Sequence, residues 1–232
     1  MEMFDPCSFH LGDMKYKHLQ WLGTFIFHVY SNGEGGSGYN HTFQSLLRRF
    51  KAVEDLSLSL VSPDLIALDI DGYQYMMDDM TMLPEITFLH LTITANGHAF
   101  GASLFHVLRM CFGIRRLNLA LFVPTTKWDY TCPSGCICGQ QPNWEDEELL
   151  LKHLQEVEIT KFRGSEYELP FVKRLFNWAK VLKRISIIFD ASVTESMAKE
   201  VYNVVQSFSR PEICMEFYWY LDWKKVLYAP KD

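Results

Sequence analysis

The stretch Ile114-Arg115-Arg116-Leu117-Asn118-Leu119-Ala120-Leu121 decides how this chain is read. From Leu117 onward leucines alternate with small or polar residues, the period-2 pattern of a strand that buries one face. Four further stretches, at 53–60, 86–93, 154–159 and 182–187, repeat the pattern, each after a helical or looped segment. Aligned on Leu56, Leu89, Leu117, Val157 and Ile185, the steps are 33, 28, 40 and 28 residues. Each step holds one strand and one crossing back to its start. The spacing therefore predicts an α/β fold of repeated units, with parallel strands on one side and helices or loops on the other.

A chain of 232 residues that is 48% hydrophobic and 22% charged buries a sizeable core, and no Pro/Ser-rich linker divides it. The formal charge is −6, and the basic pairs Arg48-Arg49, Arg115-Arg116, Lys183-Arg184 and Lys224-Lys225 are scattered. Phosphate binding needs a concentrated basic face, so no nucleic-acid partner is expected. The first 20 residues lack a basic start followed by an apolar run, and no later stretch reaches the roughly 18 apolar residues of a membrane span. The expectation is a cytoplasmic or nuclear protein without a membrane partner, its cysteines reduced and its Asn40-His41-Thr42 sequon unused.

Between the strands, helical periodicity is clearest where Met197, Val201, Val204, Val205 and Phe208 follow the capping-box pattern of Ser192 and Glu195. Shorter helices are predicted after Thr42, over 102–111 with Gly113 ending the last turn, and over 144–153 with Asn143 as cap. One more precedes 182, opening near Ser165, Glu168 and Pro170. Strands are expected over 23–30 and 213–221; both faces of the latter carry bulky residues.

Three thiols, Cys132, Cys136 and Cys138, fall within seven residues of a Gly/Pro/Ser loop. Convergence on zinc at about 2.3 Å from each sulfur is one reading, with His153 or Cys111 as fourth ligand. A reduced, partly buried cysteine loop is the simpler reading, and no other cofactor is expected. Gly33-x-Gly35-x-x-Gly38 formally matches a dinucleotide fingerprint. Only a short helix fits between it and the strand at Val53, so a flexible loop explains it better. His90 lies on the polar side of its strand, and with Thr92, Asn118 and Glu158 it alternates with the apolar positions. These four are the candidate protein-binding residues.

The segment from Cys132 to Trp144, and residues 149–189 after it, resemble the carboxy-terminal part of grass-type F-box proteins, whose leucine-rich repeats are followed by an FBD module. Leu154, Val157 and Ile159 match that module's strand, Phe162-Arg163-Gly164 its turn, 168–180 its helix and 182–187 its returning strand. The resemblance implies an irregular leucine-rich-repeat solenoid over 1–130, a cysteine-containing loop and helix start over 131–148, and FBD-like repeats over 149–232. It further implies a non-catalytic scaffold like the target-recognition half of an F-box ubiquitin-ligase adaptor, with a protein target as partner. No F-box motif is found in the chain, so a Skp-type adaptor is expected as partner only of a longer form. The competing expectations are an α/β enzyme binding a nucleotide at 33–38 and a zinc-stabilised interaction module.

Overall fold

The computed structural model describes residues 16–32, 36–63, 73–122, 136–140, 143–221 and 224–230. Its strands are β1 (Tyr16–His28), β2 (Tyr30–Ser31), β3 (Phe50–Val61), β4 (Gln74–Tyr75), β5 (Glu85–Thr94), β6 (Arg116–Phe122), β7 (Glu156–Phe162), β8 (Arg184–Phe189), β9 (Cys214–Leu221) and β10 (Lys224–Tyr228). Its helices are α1 (Gly36–Leu47), α2 (Gly101–Arg109), α3 (Glu168–Trp178) and α4 (Glu195–Phe208). Eight strands form one sheet in the order β1-β3-β5-β6-β7-β8-β9-β10, while β2 and β4 pair separately. Every pairing in the large sheet is parallel except the closing β9-β10 hairpin.

The register follows the leucine pattern. Leu22, Leu56, Leu89, Leu117, Val157, Ile185 and Met215 face one another across seven strands. The face they share continues two residues on, through Leu58, Leu91, Leu119, Ile159, Ile187 and Phe217, all at most 2% exposed. Phe43 and Leu47 of α1, Leu104 and Val107 of α2, Phe171 and Leu175 of α3, and Val201 and Val205 of α4 belong to the same core cluster. All four helices thus contribute to the core on that face of the sheet.

Several local expectations are corrected. Residues 144–153 form turns, a bend and irregular chain instead of a helix. Their backbone is engaged by α3: Leu151 N–H donates to the Trp178 carbonyl at 3.0 Å, and the Trp178 indole N–H donates to the Glu147 carbonyl at 3.4 Å. Thr42 does not cap α1 but lies inside it, its hydroxyl donating back to the Gly38 carbonyl. Gly36 and Gly38 belong to the first turn of that helix, while 33–35 lie outside the described residues. Gly113 is absent from the left-handed residues, which include Gly97 and Gly164. Its missing side chain instead lets the chain lie against Glu85 and the Ile86 carbonyl. Thr194, not Ser192, caps α4 by accepting from Met197 N–H. The sequon residue Asn40 is buried, and its amide exchanges two 3.0 Å hydrogen bonds with the His28 backbone at the end of β1.

Candidate functional site

Opposite the core, the sheet presents Thr24, Ser57, His90, Asn118, Glu158, Ser186 and Glu216 in a single register row. Three neighbouring pairs in this row touch. Thr24 Oγ1 donates to Ser57 Oγ at 3.1 Å, Asn118 Nδ2 to Glu158 Oε1 at 3.5 Å, and Ser186 Oγ to Glu216 Oε2 at 3.4 Å. His90 Nε2 lies 3.2 Å from Asp55 Oδ1, one row away, and its ring lies on Phe88. A shallow depression over β1, β3, β5 and β6 is lined by Trp21, Thr24, Ser57, His90, Thr92 and Asn118. Trp21 is 60% exposed at its margin, and Ile26 further along β1 is 49% exposed.

The other half of this face carries a contact that crosses the sheet. Lys225 Nζ reaches Glu158 Oε2 at 2.7 Å and lies over the Tyr218 ring. A side chain of the edge strand β10 thus reaches across β9 and β8 to β7 on this face. Of the four candidate residues, His90, Thr92 and Asn118 line the open depression, while Glu158 is held by Lys225 at its boundary. Trp21 and Lys225 escaped the sequence reading: one tryptophan in an edge strand, and one lysine 67 residues from its partner, carry no local signal.

Two of the three thiols of the cysteine loop, Cys136 and Cys138, lie among the described residues. Cys136 and Cys138 are buried together with His98, and their ligand atoms all lie within 4.8 Å of one another. Cys136 Sγ is 3.3 Å from His98 Nδ1. Cys132 lies outside the described residues. Neither expected fourth ligand belongs to the group. His153 is exposed in the turn before β7, and the Cys111 thiol, pushed up to about 12 by burial, donates to the Val107 carbonyl inside α2's packing. His98 follows the left-handed pair Asn96 and Gly97, which turns the chain from β5 toward α2. Its ring packs on Tyr30, and burial holds its pKa below the usual imidazole value.

A third local arrangement ties β7 to α3. The Glu168 carboxylate accepts from the backbone N–H groups of Arg163 and Ser165 at 2.9 and 3.0 Å, closing the turn between the two elements. Gly164 completes it at φ +74, with Val201 of α4 against its backbone.

A family model described as FBD matches residues 148–187, which span β7, α3 and the first four residues of β8. FBD is a domain associated with F-box proteins. No curated protein and no solved structure matches the chain. Among the described residues, no helix is long and apolar enough to cross a membrane.

Proposed function

We propose that this protein is a non-catalytic protein-interaction scaffold, an irregular leucine-rich-repeat solenoid resembling the target-recognition half of an F-box ubiquitin-ligase adaptor. The FBD match supports the family side of this reading. The surface side rests on one observation: Trp21, 60% exposed, borders a row of hydrogen-bonding side chains that includes His90 and Asn118. Exposed aromatic anchors beside fixed polar groups are what protein interfaces use, and a tryptophan at such a place commonly carries about 2 kcal/mol or more of binding energy. The partner is a protein target seated on the β1–β6 half of the open face. A Skp-type adaptor enters only through a longer form that carries an F-box.

The test starts from proteins retained by the immobilised chain. Direct binding of each candidate is measured by calorimetry with the wild type, Trp21→Ala, Asn118→Ala and, on the exposed side of α4, Glu200→Ala. The reading expects Trp21→Ala to weaken binding by about 30-fold and Glu200→Ala to leave it unchanged. A partner equally tolerant of Trp21→Ala and Asn118→Ala would move the interface elsewhere. A nucleotide-dependent rise in Tm with no protein partner would favour an enzyme instead.

A further inference from the structure

We propose that His98, Cys136 and Cys138 bind Zn2+, and that the ion fastens the long β6–β7 connection to the turn between β5 and α2. The three donors come from segments 38 residues apart, and the side chains are only 1%, 3% and 8% exposed. Two thiols and an imidazole form a donor set that suits zinc, which takes sulfur at about 2.3 Å and nitrogen at about 2.0–2.1 Å. A tetrahedron with those bond lengths has edges of about 3.5–3.8 Å. The Cys136–His98 separation of 3.3 Å is already close to that edge. The remaining donors, all within 4.8 Å, need to close by at most about 1 Å, with a further donor completing the ion's coordination.

Charge balance favours the same ion. On binding, the two thiols release their protons to solvent, and Zn2+ with two thiolates and a neutral imidazole has no net charge. A neutral cluster tolerates this buried position, whereas either thiolate alone would not. The imidazole is also oriented before any ion arrives. His98 N–H closes a turn on the Ala95 carbonyl, Asn96 Nδ2 donates to the Ser62 carbonyl, and the His98 ring packs on Tyr30.

The cluster would also tie down a long connection. Between the end of β6 at Phe122 and the start of β7 at Glu156 it runs 33 residues without an α-helix among those described. Trp144, packed on Gly101, fixes one point of this connection against α2. Cys136 and Cys138 on His98, three residues before Gly101, fix a second point on the same turn.

The test uses the full chain purified under reducing conditions without chelator. Elemental analysis is expected to find about one zinc per chain. Replacement by Co2+ is expected to give the visible bands of a tetrahedral ion together with a thiolate-to-cobalt charge-transfer band. His98→Ala, Cys136→Ser and Cys138→Ser should each lose most of the zinc, while Cys111→Ser, a buried thiol outside the cluster, should keep it. The wild-type cobalt titration decides even where a ligand variant fails to fold. A wild-type chain that is zinc-free and gives no cobalt spectrum overturns the proposal. So does bound zinc whose content is unchanged in His98→Ala, or a cobalt spectrum without the charge-transfer band.

Discussion

The indole of Trp144 packs on Gly101 so closely that a Cβ at position 101 would fall within the ring's van der Waals envelope. Gly101 opens α2, where alanine would otherwise favour the helix by up to about 1 kcal/mol. With the ring in place overpacking dominates, and Gly101→Ala is expected to destabilise by about 1–3 kcal/mol. In a Trp144→Ala background the same substitution should become neutral or mildly stabilising. Urea unfolding of the four variants measures this coupling, and additive effects would mean that Trp144 does not pack there.

Leu117 and Ile185 occupy the same core row on either side of Val157 and are 2% and 1% exposed. Truncating either to alanine removes buried methyl groups and leaves a cavity, at a cost of about 2–5 kcal/mol. Asn118, one residue along from Leu117, faces the other way. Asn118→Ala should shift stability by no more than about 0.5 kcal/mol. Chemical denaturation of the three variants separates the faces; equal losses at Leu117 and Asn118 would contradict the register.

The strand series was legible because a parallel sheet with one buried face writes its register into the sequence as period-2 leucines. Leu56, Leu89, Leu117, Val157 and Ile185, aligned from spacing alone, are direct partners. What failed depended on contacts distant in sequence. The acidic first turn and basic last turn of 144–153 suit a helix, yet its backbone groups bond to Trp178. Strand β10 begins with two lysines and is too short to show a period, and what holds it is distant in sequence: the hairpin with β9, Lys225 on Glu158, and Tyr228 against Phe189 and Tyr202. Lys161, at φ 59, interrupts the alternation of β7 so that Phe162 enters the core in place of its neighbour. At the cysteine loop the thiols were visible as a cluster. His98 was not, because its approach is set by the order of β5 and β6 in the sheet and by no local spacing.

At Gly164 two constraints act together: φ +74 is strained for any residue with a side chain, and Val201 occupies the space a Cβ would need. Gly164→Ala is expected to destabilise by about 2–4 kcal/mol, the left-handed backbone and the overpacking contributing comparably. Adding Val201→Ala should relieve the overpacking but leave the backbone strain. Thermal unfolding in which Gly164→Ala costs no more beside the native Val201 than in a Val201→Ala background would show that the two do not meet.

Two carboxylates flanking Arg163 give stability opposite dependences on pH. Glu168 is 3% exposed, and its burial raises the pKa above the usual 4.5 despite the N–H groups of Ser165 and Arg163 that it accepts. Burial also opposes ionisation of Asp190, but hydrogen bonds from Ser192 and the Arg163 guanidinium outweigh it and hold the pKa below 3.8. A raised folded pKa means that the native state binds more protons above pH 4.5 than the unfolded chain does. The stability linked to Glu168 is therefore complete below that pH and declines as pH rises through the folded pKa. For Asp190 the sign reverses: its contribution is complete above pH 3.8 and is lost as pH falls through the folded pKa. Urea unfolding between about pH 3 and pH 7 should show the advantage of wild type over Glu168→Gln shrinking toward neutral pH. Its advantage over Asp190→Asn should instead grow from the acid end and then level off. A wild-type advantage over Glu168→Gln that stays constant across the range would mean that the Glu168 carboxyl titrates in the folded protein as it does in the unfolded chain.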